Sequence, residues 1–155
     1  MFKLISKTLA AVAMVSVALF GSANAKTLKI ETHFTASSPN GEVAAQFAKN
    51  VEMFSGGSLK VEMFYSSSVT GKSAEVFNSA QTGIIDCDMT GAGYQTGKNA
   101  AFQFAGDVMG GYDNPYQQYE FLNFPGAQEA VDALYNKYGM TLIGWWIQIG
   151  RAHVW

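Results

Sequence analysis

Residues 26–90 switch back and forth between a two-residue and a three-to-four-residue hydrophobic period, and that succession restricts the fold more than any other feature. In residues 26–34, Leu28, Ile30, Thr32 and Phe34 fall on one face and Lys29, Glu31 and His33 on the other, which is strand periodicity. A small polar loop containing Pro39 follows. Asn40 is then placed to cap a helix whose apolar positions are Val43, Phe47, Val51 and Phe54, ended by Gly56 and Gly57 in the left-handed conformation. Residues 59–65 read as a second strand and residues 66–72 as a loop. Ser73 opens a second helix carrying Ala74, Val76, Phe77 and Ala80, and Gly83 closes it before a third strand over residues 84–90. Strands alternating with helices at this spacing imply right-handed crossovers in a parallel sheet. Ligands of such sheets sit outside the carboxyl ends of the strands. Those ends, at residues 34–38, 65–69 and 91–94, are rich in hydroxyls, glycine and aromatic rings, which suits small polar ligands and ordinary loops alike.

Farther along, residues 99–112 are apolar and glycine-rich without a clear period. Pro115 starts a helix through Phe121, Pro125-Gly126 interrupts, and residues 128–138 form another helix with Val131, Leu134, Tyr135 and Tyr138 on one face. Gly139 caps it, and residues 140–147 read as a fourth strand.

The first 25 residues have the pattern of an export signal. Lys3 and Lys7 give a short positive segment, residues 9–20 are apolar and uncharged, and Ser22-Ala23-Asn24-Ala25 supplies the small residues of a cleavage site after Ala25. The apolar run is shorter than the ~20 residues of a membrane span. The expectation is Sec export to the periplasm, with residues 1–25 removed and no membrane-embedded segment left. Loss of the two lysines moves the formal charge from −2 to −4. Basic residues are not clustered, which argues against nucleic acid as a partner.

Three constellations could carry chemistry. Asp86 and Asp88 flank Cys87 and share a strand face, so they could bind a cation or act as acid and base, or else bond backbone amides nearby. His33, one step before the first loop, would need a nucleophile and an orienting carboxylate to serve as a base, and the sequence identifies neither. Otherwise it is a hydrogen-bonding surface histidine. Tyr65, Tyr94 and the pair Trp145-Trp146 could line a cavity or pack a core, and only one of two adjacent tryptophans on a strand can face a given cavity. Cys87, the single cysteine, reads as a small buried hydrophobe. No nucleophile elbow, phosphate loop or zinc motif is present, so an enzyme is not expected.

Several stretches together resemble a known family. Gln46-Phe47-Ala48 with Ser55-Gly56-Gly57-Ser58-Leu59-Lys60-Val61-Glu62 resembles the first helix-to-strand junction of the solute-binding proteins of tripartite ATP-independent periplasmic (TRAP) transporters. Phe77-Asn78-Ser79-Ala80 to Gly83-Ile84-Ile85-Asp86 is similar to their second helix and third strand. Gly91-Ala92-Gly93-Tyr94 to Gly97-Lys98-Asn99-Ala100-Ala101-Phe102 resembles the next segment, especially in members that take 2-oxo acids and related monocarboxylates. Leu134-Tyr135 to Lys137-Tyr138-Gly139-Met140 is similar as well.

The resemblance implies an α/β fold of the periplasmic-binding-protein type (type II) that closes like a hinge on a small organic acid and delivers it to TRAP membrane subunits. Residues 26–148 would be the first lobe, incomplete, with the second lobe missing. Tyr94 would be a ligand-facing hydroxyl and residues 33–38 (with His33, Phe34 and Ser37) one wall; of the two adjacent tryptophans, Trp146 is the one expected at the ligand. Gln148 would help coordinate the ligand or a cation, with no cofactor beyond a sodium ion that could accompany the ligand. An arginine of the second lobe would clamp the carboxylate, whose two oxygens match a guanidinium fork. Residues 149–155 depart from the family pattern and read like a translated sequencing adapter, so Arg151 is not counted as that clamp. The isolated lobe is expected to bind weakly or not at all. An exported enzyme and a stand-alone interaction domain are the competing readings.

Overall fold

A computed structural model of the chain describes residues 25–106, 108 and 111–145. The residues before Ala25, read above as an export signal, and the tail beyond Trp145 with Trp146, Gln148 and Arg151, lie outside the described residues.

Three strands, β1 (Lys26–Thr32), β2 (Leu59–Phe64) and β3 (Cys87–Met89), form a parallel sheet in the order β2-β1-β3. Helix α1 (Pro39–Phe54) connects β1 to β2, and α2 (Ser73–Gln81) connects β2 to β3. The first crossover carries the chain to one side of β1 and the second to the other. The parallel sheet expected from the alternation is therefore present, with β1 at its centre. Register aligns Glu31 with Phe64 on one side and with Asp88 on the other.

Several expectations are corrected. The cap of α1 is Ser38, not Asn40: Ser38 is extended (φ −80°, ψ 155°), and its hydroxyl accepts from Gly41 N–H at 3.1 Å. Pro39 belongs to the first turn, where its missing N–H costs nothing. The buried face of α1 is Gly41, Ala44 and Ala48, whereas Val43 and Phe54 are exposed. Small residues win that face because backbone comes close: a Cβ on Gly41 would lie 2.0 Å from Thr35 O. The third strand is shorter than the period suggests. Ile84 and Ile85 N–H both donate to Ser79 O at the helix end, so residues 84–86 are still leaving α2 when they reach β1.

After β3 the chain makes two 3-10 turns, Ala92–Gln95 and Ala100–Phe104. Helix α3 (Pro115–Asn123) is capped by Asn114 Oδ1, which accepts from Tyr116 and Gln117 N–H. Helix α4 (Pro125–Asn136) begins at the Pro-Gly pair instead of after it, because proline suits a first helical turn. Gly139 ends that region at φ 70°. The expected fourth strand is not a strand over residues 140–145. Alternating Met140 and Leu142 do pack on the core with Trp145, but a ladder needs a neighbouring backbone, and Leu142 N–H instead finds Asp132 Oδ1 at 3.1 Å.

The core joins α2 to the later elements. Phe77 and Phe102 are fully buried, 5.8 Å apart edge to face, and the rings of Tyr135 and Tyr138 stand 5.2–6.0 Å from one or the other. Such tilted contacts are the favoured aromatic geometry. Among the described residues no helix is long and apolar enough to cross a membrane.

Candidate functional site

The carboxyl ends of β1 and β3 open into a cleft of about 840 Å³. Parallel strands deliver these ends to the same edge of the sheet, so residues far apart in sequence meet there. His33 and Phe34 follow β1, Thr90 and Tyr94 follow β3, Phe47 reaches in from α1, and residues 139–145 form the opposite wall.

His33 is the centre of an aromatic group. Its ring lies 3.9 Å from that of Phe34 and 5.3 Å from Tyr94, the latter edge to face at 73°. Burial holds the imidazole below its ordinary value of 6.5, because the charged form loses water there. Tyr94 is 46% exposed, so its phenol is open to a ligand.

The two aspartates separate into different roles. Asp86 is exposed, and its Oδ2 accepts from Lys29 N–H at 2.9 Å, which ties β3 to β1 at a point before the ladder forms. That is the backbone-bonding role. Asp88 faces the cleft, and its carboxyl is pushed up to about 6, chiefly by burial and further by Glu31, against the lowering effect of Thr90. Thr90 Oγ1 donates to Asp88 Oδ1 at 2.6 Å. Burial first, then Asp88, pushes the Tyr135 phenol up to about 12. The Cys87 thiol is raised by burial and then by Asp86 and Asp88, which disfavours the reactive thiolate. Among the described residues no group of three or more His, Cys, Asp or Glu could hold a metal ion, and Gln148 lies outside them.

Of the residues expected at the site, His33, Phe34 and Tyr94 are brought together. Ser37 is exposed and does not line the cleft, because the turn at residues 35–38 is drawn up to cap α1. Trp145 lines the cleft, and its Nε1 is buried with no hydrogen-bond partner among the described residues. Sequence periodicity does not point to Trp145, since Met140 and Leu142 have the opposite parity. Phe47 reads from the sequence as core for α1, and only the packing of the small face turns it toward the cleft.

A parallel α/β sheet whose strand ends open on a cleft of mixed apolar and polar lining has the form of one ligand-binding lobe of the periplasmic-binding type. The chain belongs to the bacterial extracellular solute-binding proteins of family 7 (DctP), whose model matches residues 30–152. Members of that family are solute-binding receptors and not enzymes. Among solved structures, the chain is similar to a TRAP periplasmic solute-binding protein from Rhodobacter sphaeroides in an apo open form (28% identity, TM-score 0.69, 76% of this chain and 37% of that one). It is also similar to a TRAP solute-binding protein from Bordetella bronchiseptica with calcium and picolinate (20%, 0.68, 76% and 34%). A third is the protein from Pseudoalteromonas atlantica with bound sodium and pyruvate (18%, 0.63, 75% and 35%). The chain spans little more than a third of the length of these structures. No curated protein matches it.

Proposed function

We propose that this chain supplies one wall of a periplasmic receptor that captures a small organic acid and hands it to TRAP membrane subunits. The observation that carries the reading is the convergence of His33, Phe34 and Tyr94 from two different strand ends on one cleft. The rings offer apolar surface there while a hydroxyl and an imidazole remain to fix a polar ligand. The similar structures hold small carboxylic acids, picolinate in one and pyruvate in another, which supports this reading.

The wall has a consequence for charge. Among the described residues it contains Asp86 and Asp88 but no Lys or Arg. A carboxylate entering it needs a compensating cation, which we assign to an arginine of a second lobe, with a sodium ion as co-ligand. Export with cleavage after Ala25, and binding without chemical conversion, complete the reading.

The test is thermal shift and calorimetry on a receptor that carries this lobe together with a second one. Pyruvate, a dicarboxylate, a sugar acid and picolinate are compared in sodium and in choline salts. The expected result is stabilisation by one acid class, stronger in sodium, with the acid recovered unchanged. Conversion of the acid would bring the exported-enzyme reading forward. Absence of any shift with every acid would sink the receptor reading.

A further inference from the structure

We propose that Glu31 is a positioning residue for the ligand-facing end of β1: its buried carboxylate pins the loop after β2, and that loop fixes the backbone on both sides of His33. The inference rests on the reading of the cleft given above.

Glu31 is wholly buried although it carries a carboxylate. Its Oε1 accepts from Val69 N–H at 2.7 Å and from Thr70 N–H at 3.3 Å, while Oε2 is buried with no partner among the described residues. Neither a Lys nor an Arg is bonded to it among the described residues. A carboxylate is kept in such a place only when hydrogen bonds replace its water, and here two amides of one loop do so.

That loop is unusual in its backbone. Ser66 and Ser67 have φ of 57° and 51°, the left-handed region that costs an ordinary residue energy. Consecutive strained residues persist where the surroundings over-determine them. The surroundings here are the end of β1. Ser66 N–H donates to Phe34 O at 2.9 Å, and Ser67 N–H donates to Thr32 O at 3.0 Å. The two accepting carbonyls belong to the residues immediately before and after His33. Ser67, itself buried, also pairs through its hydroxyl with Ser73 at 3.3 Å, anchoring the loop to the start of α2.

The chain of contacts therefore runs from Glu31 to residues 69 and 70, back along the loop to residues 66 and 67, and from there to the peptide groups that hold His33 against Phe34 and Tyr94. The loop itself does not line the cleft. Glu31 acts on the site only through it.

Amide hydrogen exchange followed by NMR tests this without a ligand. In the unaltered protein, the amides of Ser66, Ser67, Val69 and Thr70 should open as one group with equal protection. In Glu31→Ala, exchange at Ser66 and Ser67 should rise about tenfold or more, and the His33 ring resonances should move, while the β1–β2 ladder keeps its protection. Glu31→Gln retains a carbonyl acceptor and should restore most of the protection. Unchanged protection at Ser66 and Ser67 in the alanine variant, or equal loss throughout the ladder, overturns the proposal. If the alanine variant does not fold, independent opening of the two amide pairs in the unaltered protein overturns it. A receptor that binds no acid would leave these outcomes standing, so the two readings fail separately.

Discussion

Replacing Asp88 with asparagine should make the protein more stable at neutral pH and leave it unchanged in acid. A free aspartate loses its proton near 3.8, and in the fold Asp88 holds it to about 6. Between those values the folded chain binds more protons than the unfolded one, so stability falls as pH rises from about 4 to about 6. Below that window both states are neutral and nothing is lost; above it the loss is complete. The full displacement corresponds to about 3 kcal/mol. Asp88 keeps partial contact with solvent, which reduces the expected figure to about 1–2 kcal/mol. Besides burial, the groups acting on it are Thr90, whose hydrogen bonds favour the charged form, and Glu31 across the register, which disfavours it; Asp88 in turn raises Cys87 and Tyr135. The asparagine side chain retains an oxygen for Thr90, whose hydroxyl lies 2.6 Å from the carboxylate, so the substitution removes the charge and keeps the bond. Urea denaturation at pH 3.5, 5 and 7.5 measures the gap. The variant should gain about 1–2 kcal/mol at pH 7.5, on the order of 5 °C in melting temperature, and coincide with the parent at pH 3.5. A variant that is less stable at pH 7.5, or a gap that does not change with pH, would refute the account of Asp88 as a carboxylate held against its own solvation.

Three further outcomes follow from the same geometry. Tyr94→Phe should weaken binding of the captured acid about five- to tenfold, the usual worth of one hydrogen bond, without moving the melting temperature; an unchanged affinity removes the phenol from the site. The His33 ring, titrated by NMR, should lose its proton below the ordinary 6.5, so the stability it lends is present above that value and declines as pH falls through the lowered one; a midpoint at or above 6.5 contradicts its burial. Gly83→Ala should cost about 1 kcal/mol, purely from forcing an alanine to φ 77°, because the added methyl meets nothing within 4 Å. A much larger loss in urea denaturation would mean that packing at the end of α2 is closer than this.

How much of the site is legible in the sequence can be judged residue by residue. His33, Phe34 and Tyr94 are readable because each lies just past a strand, and parallel strands deliver such positions to one edge. Asp88 is recognisable as a candidate but not separable from Asp86, since alternation gives both the same face and burial alone divides them. Glu31 reads as one of the charged positions of an exposed face. Nothing local marks it as buried, because its partners are thirty-eight and thirty-nine residues away.

The sequence by itself determined the order and kind of the elements from residue 26 to residue 90, the glycine ends of both crossover helices, and the family. Those properties are local: hydrophobic period, turn residues and motif spacing are all expressed within a few residues of one another. Only the tertiary structure decided which face of α1 is buried, that residues 140–145 remain outside the sheet, and that a glutamate in the central strand faces loop amides instead of water. These depend on how closely backbones approach and on whether a distant hydrogen-bond partner is present, and no periodicity within a segment records either.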